Sequence, residues 1–241
     1  MKERNSGCLL CGEDIVYLSS PEERICAYCE KTLLADAKCR ADHFVCDSCH
    51  QTNPNDFIEM FCRESTLQNP WEIANKIMGN KIVKMHGPEH HFLVPAALLT
   101  SYYNVVNEPQ EKKKKISLAR QRAEKVPGGF CGSHGTCGAA IGTGIFISLV
   151  LDTTPLSDQE WQLSNLITSK SLFSVSMSGG PRCCKRDTYL SIQEAVFFVH
   201  QKLHVEIPIS GNMQCSFHNL NKECLQTDCS YYPQHIQPDI T

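Results

Sequence analysis

The chain of 241 residues lacks the features that define several common protein classes. Apolar runs such as Ile145–Leu151 are far shorter than the roughly 20 residues that a membrane-spanning helix needs. The 23 lysines and arginines are outnumbered by 26 aspartates and glutamates, which argues against a globally basic nucleic-acid binder. No apolar stretch follows Met1, so we expect no secretory signal and a reducing, cytoplasmic location.

Familiar catalytic motifs are also missing. The sequence has no glycine-rich phosphate loop, no dinucleotide-binding fingerprint and no serine nucleophile elbow. Cysteine, in contrast, is abundant: there are 15, an odd number that cannot pair completely. Because structural disulfides are rare in reducing compartments, metal binding is the better explanation for most of them.

The cysteines divide the chain into segments. Residues 1–62 contain eight, residues 63–130 none and residues 131–241 seven, and the net charges of the three segments are −5, +5 and −3. We therefore predict a cysteine-rich zinc-binding module at 1–62. Residues 63–241 are predicted to form a helical domain with a cysteine-lined metal or cluster site.

The N-terminal cysteines have the spacing of zinc ligands. A Cys-x2-Cys turn places two thiolates on one side of a tight knuckle, as tetrahedral zinc requires. The candidate ligands are Cys8, Cys11, Cys26, Cys29, Cys39, His43, Cys46 and Cys49, with His50 as an alternative to His43. Two arrangements fit: two sites in succession along the chain, or two interleaved sites in which Cys8 and Cys11 share a metal with the Cys39 pair.

Short apolar stretches next to these knuckles predict a β-rich, zinc-ribbon-like module. Residues 15–17 are predicted to form a strand after the first knuckle. The net charge of −5 is poorly suited to phosphate binding. We therefore expect a structural role or a protein partner rather than nucleic acid.

The middle segment predicts three helices, at residues 70–79, 89–104 and 109–125. Asn69 is a candidate N-cap with Pro70 in the first helical position. The third helix carries a basic run that predicts a solvated face. Three histidines are expected to lie in the core or on the surface rather than in a metal site: His86, His90 and His91.

A glycine-rich stretch around Cys131 and Cys137 leads into the apolar residues 139–151, which predict a fully buried helix. Cys183 and Cys184 similarly precede a predicted helix at 188–203. Helix N-termini stabilise thiolates, so these four cysteines are our candidate ligands for an iron–sulfur cluster. Zinc and a metal-free dithiol are the alternatives. Three neighbouring cations are candidates for binding a substrate carboxylate: Arg182, Lys185 and Arg186.

The last cysteines are Cys215, Cys224 and Cys229, with His218 among them. Their spacing predicts another metal site. Alternatively, they fold back and complete the site of Cys131, Cys137 and Cys183.

Several strings of this sequence resemble an uncharacterised prokaryotic domain-of-unknown-function family (DUF5714-like). They are the paired knuckles, His-Phe-Val-Cys-Asp-Ser-Cys-His at 43–50, Gly-Gly-Phe-Cys-Gly at 128–132, Cys-Gly-Ala-Ala at 137–140 and Gly-Gly-Pro-Arg-Cys-Cys-Lys-Arg at 179–186. The resemblance implies little function beyond an association with S-adenosylmethionine-dependent proteins.

Two shorter strings are similar to motifs of iron–sulfur L-serine dehydratases and cysteine desulfidases. Cys137-Gly-Ala-Ala-Ile-Gly142 is similar to their Cys-x4-Gly helix start, and Cys183-Cys-Lys-Arg-Asp187 to their Cys-x-Lys-Arg-Asn. This similarity implies a 4Fe-4S cluster ligated by Cys137 and Cys183. The middle ligand of those enzymes has no cysteine counterpart between 151 and 182, so Cys131 or Cys184 would have to replace it.

We therefore expect a mainly α protein with a small β-rich module. The leading hypothesis is a cytoplasmic metalloprotein with structural zinc and an iron–sulfur cluster, acting as a lyase on a small hydroxy or thiol acid. The alternatives are a non-enzymatic zinc adaptor that helps mature a radical or S-adenosylmethionine enzyme, and a thiol redox protein.

Overall fold

A computed structural model describes residues 8, 13–27, 29–50, 53–209 and 213–233. Internal contacts divide the chain into two compact units. The N-terminal unit extends to Pro54 and includes Gly79–Ile82. The helical unit consists of Asn55–Met78 and the chain from Val83 onwards.

The N-terminal unit contains an antiparallel hairpin of β1 (Ile15–Ile25) and β2 (Thr32–Cys39), followed by the short helix α1 (Asp47–His50). Ile15 pairs with Cys39 at one end of the hairpin, and Ile25 pairs with Thr32 at the other. This unit confirms the prediction of a small β-containing module in front of a mainly helical chain.

The described part of the helical unit is built from eight helices. They are α2 (Pro54–Glu64), α3 (Pro70–Gly79), α4 (Glu89–Val105), α5 (Pro109–Ala123), α6 (Phe130–Ser133), α7 (Gly138–Val150), α8 (Gln159–Met177) and α9 (Cys184–Leu203). Two 3₁₀ turns follow, at His218–Leu220 and Gln226–Asp228. None of the described helices combines the length and hydropathy that crossing a membrane requires.

The start of α3 follows from its capping residue. The side-chain oxygen of Asn69 accepts hydrogen bonds from the backbone N–H groups of Trp71, at 2.9 Å, and Glu72, at 3.4 Å. Pro70 occupies the first turn, where no intrahelical N–H bond is needed. The predicted cap is therefore confirmed.

The core of the helical unit is formed where α4 packs against α7. Phe92 and Phe146 are at most 1% exposed. The two helices approach closely at Gly142, because a Cβ atom there would lie 2.7 Å from Pro95 Cδ and 3.1 Å from Val94 Cβ. Glycine at this position permits the helix packing on which the following sites are built.

The basic run on α5 is not uniformly solvated, and our prediction is wrong for two of its lysines. Lys112 and Lys115 are only 4% and 3% exposed. Lys112 Nζ donates to the Ser65 carbonyl oxygen at 2.9 Å, and Lys115 Nζ donates to the Leu149 carbonyl oxygen at 2.8 Å. Since Leu149 is in the last turn of α7, Lys115 satisfies a carbonyl group that the helix itself leaves unpaired.

Candidate metal centres

Four thiols of the N-terminal unit form a compact group. The sulfur atoms of Cys26, Cys29, Cys46 and Cys49 all lie within 4.8 Å of one another. Those of Cys29 and Cys46 are 3.9 Å apart. Zinc–sulfur bonds of about 2.3 Å in a tetrahedron place the sulfurs about 3.8 Å apart, so the four thiols fit a single zinc ion.

A second group consists of Cys8, Cys39 and His43, with all three ligand atoms again within 4.8 Å of one another. His43 Nδ1 lies 3.8 Å from Cys8 Sγ and 3.6 Å from Cys39 Sγ. A tight turn brings two of these ligands together, since the Cys39 N–H donates to the His43 carbonyl oxygen at 2.8 Å. Asp42 adopts a left-handed conformation within this turn, with φ of 66°.

The two groups are interleaved along the chain. The ligands of the two groups alternate along the chain: Cys8 comes first, then the pair Cys26 and Cys29, then Cys39 and His43, and finally the pair Cys46 and Cys49. Of the two arrangements left open by the sequence, the structure therefore has the interleaved one. Cys11 and the side chain of His50, both named as candidate ligands, lie outside the described residues.

Hydrogen bonds and burial give the thiols of the four-thiol group different pKa values. Burial raises the pKa of Cys46, but bonds from the Ser48 hydroxyl and from the backbone N–H and thiol of Cys49 outweigh it and lower that pKa to about 6. Burial raises the pKa of Cys29 and, with the Cys46 thiolate, that of Cys49. A metal ion must therefore displace protons from thiols as it binds. Ser48 was not singled out from the sequence, where an isolated serine carries no signal.

The structure places the helical unit's candidate cluster ligands at helix starts. Cys137 immediately precedes α7, and Cys183 and Cys184 lie at the start of α9. Cys131 lies in α6. Among the described residues these four cysteines form no group of three ligand atoms within 4.8 Å of one another.

These half-buried thiols are not stabilised as thiolates by the helix starts alone. Burial and the Asp187 carboxylate raise the pKa of Cys137 to about 12, despite hydrogen bonds from the N–H groups of Ala140 and Ala139. Burial likewise raises the pKa of Cys184 to about 11. Desolvation therefore outweighs the helix-terminus effect that we expected to dominate.

The three candidate substrate-binding cations have different surroundings. Arg182 is exposed, whereas Lys185 and Arg186 are buried. The Arg186 guanidinium donates to the carbonyl oxygens of Gly179, at 2.7 Å, and Pro181, at 3.2 Å. Arg186 thus holds the turn that precedes α9, and its role toward a substrate stays a prediction.

Each of the three histidines of the middle segment lies within hydrogen-bond distance of another group of the chain. His90 is buried, with Nδ1 3.1 Å from the Gly87 carbonyl oxygen. His91 Nδ1 lies 3.1 Å from the Val126 carbonyl oxygen. His86 Nε2 lies 3.2 Å from Asn221 Oδ1 and so contacts the C-terminal segment. Their positions agree with the expectation that they lie in the core or on the surface.

The C-terminal cysteines converge on α9. Cys183, Cys215, Cys224 and Cys229 line one small cavity of about 20 Å³, together with His218 and Arg186. The structure thus associates Cys183 with the C-terminal cysteines, an association that the sequence left open. Cys131 and Cys137 do not line this cavity.

Together these features define a mainly helical, cysteine-rich protein with two thiol-based groups that could hold metal ions such as zinc. Residues 58–232 match the model of a family of unknown function (DUF5714), and the chain belongs to this family. The matched residues cover most of the helical unit and begin after the two interleaved ligand groups. No curated protein and no solved structure matches the chain, so the similarity to serine dehydratases gains no support.

Proposed function

We propose that this protein is a zinc-binding adaptor whose N-terminal unit holds two structural zinc ions and docks another protein. The observation that carries the metal assignment is the interleaved pair of ligand groups at near-tetrahedral spacing. Thiolate and imidazole ligands favour zinc over calcium or magnesium, which prefer oxygen. We propose Cys11 as the fourth ligand of the Cys8 group, because it completes a Cys-x2-Cys pair with Cys8.

The proposed zinc sites are structural rather than catalytic. A catalytic zinc keeps one coordination position open for water or substrate, whereas four protein ligands close the site. Cys26 and Cys39 are fully buried, and Cys46 is 5% exposed. These three ligands are therefore shielded from solvent, whereas Cys29, His43 and Cys49 are half-buried.

An apolar surface of the hairpin supports the docking role. Ile25 and Leu34 are 65% and 72% exposed and share one face of the hairpin, because Ile25 lies opposite Thr32, two residues before Leu34. Tyr17 lies opposite Ala37 on the other face and is 82% exposed. Solvent-exposed apolar groups gathered on one rigid element commonly mark protein contacts. The excess of acidic residues in this segment favours a partner with basic groups around an apolar patch.

Metal analysis of the full-length protein tests the first part of this proposal. We expect the double variant Cys26→Ser/Cys49→Ser to lose one zinc ion and Cys8→Ser/His43→Ala to lose the other. Cys131→Ser, outside both groups, serves as the matched control and should retain the full content. Unchanged zinc in both double variants would contradict the assignment.

Site-specific photo-crosslinking tests the docking role. A photoreactive residue at Tyr17 should form an adduct with a partner protein in cells, and the adduct should disappear in Cys26→Ser/Cys49→Ser. The matched control is the same residue at Phe173, which is 67% exposed on α8. Equal labelling from both positions would argue against a docking surface on the hairpin.

The iron–sulfur lyase remains the second candidate. It is favoured by the positions of Cys137 and Cys184 at two helix starts that approach each other, since Cys137 Sγ lies 3.7 Å from Asp187 Oδ2 in the first turn of α9. Anaerobic purification with iron and sulfide analysis tests it, since a 4Fe-4S cluster contributes about four irons per chain. Colourless protein without sulfide would eliminate it. A thiol redox role is disfavoured, because raised pKa values reduce thiolate reactivity.

A further inference from the structure

The geometry points to a third metal site, in the helical unit, where Cys183, Cys215, Cys224 and Cys229 bind a single divalent ion of the zinc class. Cys183 lies at the start of α9, and the other three come from the tail that follows it: Cys215 before the first 3₁₀ turn, Cys224 between the two turns and Cys229 directly after the second. All four line one cavity. The inference is independent of the N-terminal zinc sites, which use none of these residues.

The cavity is large enough for one ion. A water molecule requires about 10–15 Å³ of such space, and the cavity measures about 20 Å³. Four thiolates around one ion form a closed, tetrahedral zinc site. The proposed site therefore differs in membership from the cluster suggested by the sequence.

Backbone hydrogen bonds at this site repeat a feature of the N-terminal groups. The N–H of Phe217 donates to Cys215 Sγ at 3.3 Å, and the N–H of Gln226 donates to Cys224 Sγ at 3.4 Å. In both cases the donor lies two residues after the cysteine, just as the Ala41 N–H donates to Cys39 Sγ at 3.1 Å. Hydrogen bonds of this kind favour a thiolate, which is the form that binds metal.

A buried cation beside the thiols provides a second, independent indication. Lys185 is 1% exposed, and its Nζ atom has no hydrogen-bond partner among the described residues. It lies 4.9 Å from the centre of the Phe217 ring, in the segment that carries Cys215. A buried ammonium group without an acceptor is strongly unfavourable unless negative charge is nearby. The buried Glu89 carboxylate supplies one such charge, and Arg186 is already paired with Asp187 at 3.4 Å. Four thiolates around a divalent ion carry a net charge of −2 and would add negative charge beside Lys185.

Hydrogen bonds tie the two ends of the C-terminal segment to each other and to α9. Cys215 N–H donates to the Tyr231 carbonyl oxygen at 2.6 Å, so the two ends of the ligand-bearing loop are already joined. Tyr231 Oη donates to Gln193 Oε1 of α9 at 3.0 Å. Between these anchors no three cysteine sulfurs lie within 4.8 Å of one another. Metal binding would draw the two 3₁₀ turns inward toward Cys183.

Zinc content and cobalt spectroscopy of the full-length protein test this inference. We expect one more zinc ion per chain than the N-terminal unit accounts for. Cys215→Ser/Cys229→Ser should lose that ion, whereas Cys26→Ser/Cys49→Ser should retain it, so failure of this site is distinguishable from failure of the N-terminal sites. Cys131→Ser is the matched control for loss of a thiol elsewhere in the helical unit.

A ligand exchange keeps the inference testable if the double variant does not fold. Cys224→His should retain the ion, but its cobalt complex should show weaker sulfur-to-metal charge transfer, because one thiolate is replaced by imidazole. An unchanged cobalt spectrum would overturn the assignment of Cys224. Unchanged zinc content in folded Cys215→Ser/Cys229→Ser, or iron with labile sulfide bound by these cysteines, would overturn the site as a whole.

Discussion

The two units of the chain bury different kinds of atoms. In the described residues between 8 and 50, the buried side chains are four cysteines and Ala35. In the helical unit, α4 and α7 alone bury Phe92, Leu98 and Phe146 almost completely. The helical unit thus has a hydrophobic core of its own, whereas the N-terminal unit buries thiols whose proposed contribution to folding is to bind metal.

Metal removal should produce the largest difference between the two units, because only one of them is proposed to depend on metal for folding. Structural zinc contributes about 10–16 kcal/mol to the folding of small zinc domains, and the N-terminal unit has little else to replace it. A strong chelator should therefore unfold β1 and β2 while α4 and α7 remain helical. Hydrogen exchange followed by mass spectrometry measures this directly. Equal protection of the hairpin amides from exchange with and without chelator would show that the hairpin does not depend on metal.

A single ligand substitution should have a smaller but still large effect. Cys26→Ser removes a fully buried thiolate, so the four-thiol group should bind zinc at least about tenfold more weakly. Competition with a chromophoric chelator gives the affinity. Cys62→Ser replaces a buried thiol outside the metal groups and should leave zinc affinity unchanged.

In the helical unit, truncating a buried apolar side chain should lower the stability more than replacing a thiol does. Leu98→Ala leaves a cavity at a fully buried position and should reduce the free energy of unfolding by about 2–5 kcal/mol. Zinc content should stay the same, because Leu98 belongs to neither ligand group. Urea denaturation provides the measurement. Leu156→Ala, at a position 97% exposed, should change stability very little.

The close approach of α7 to α4 predicts a moderate effect. Gly142→Ala adds a methyl group 2.7 Å from Pro95 Cδ and should destabilise the helical unit by about 1–3 kcal/mol. Gly132→Ala is the matched control, because a Cβ atom there meets nothing within 4 Å. Similar stabilities for the two variants would show that the helices can move apart without loss.

The charge of a single carboxylate near the surface should contribute least to the free energy of unfolding. The Glu59 carboxylate accepts hydrogen bonds from Ser117 and Arg120, and these lower its pKa although burial opposes them. The resulting stabilisation is present above the unfolded-state pKa of about 4.3 and is lost as the pH falls through the lower folded value. Glu59→Gln should cost about 1 kcal/mol at pH 7 and much less near pH 3. Urea denaturation followed through the helical signal compares the two pH values.

Much of the helical unit could be predicted because local signals agreed with the tertiary structure. Asn69 and Pro70 mark the start of α3, and the apolar residues after Cys137 produce the buried helix α7. Helix α8 escaped prediction because it is rich in serine and threonine and buries only Ser164, Ile167 and Ser171. Its helical conformation depends on packing against α7, which a single sequence does not reveal.

The candidate metal ligands could be identified by residue type and spacing, but which of them belong to the same group could not. Cysteine spacing describes each knuckle locally, whereas the pairing of Cys8 with Cys39 depends on how β1 and β2 fold back on each other. The same limit explains the helical unit. Adjacent glycine-rich motifs suggested that Cys131 and Cys137 belong with Cys183, but the tail after α9 places three other cysteines against Cys183.

The crossed order of the ligands has a consequence for protein synthesis. A ribosome releases the chain from its N-terminus, and the ion proposed for the Cys8 group cannot gain its last described ligand until His43 has emerged. The ion proposed for the four-thiol group gains its last ligand with Cys49, only six residues later. Our proposal therefore implies that both ions are captured in one short interval, by a nascent segment whose thiols have until then been exposed to oxidants and competing metals.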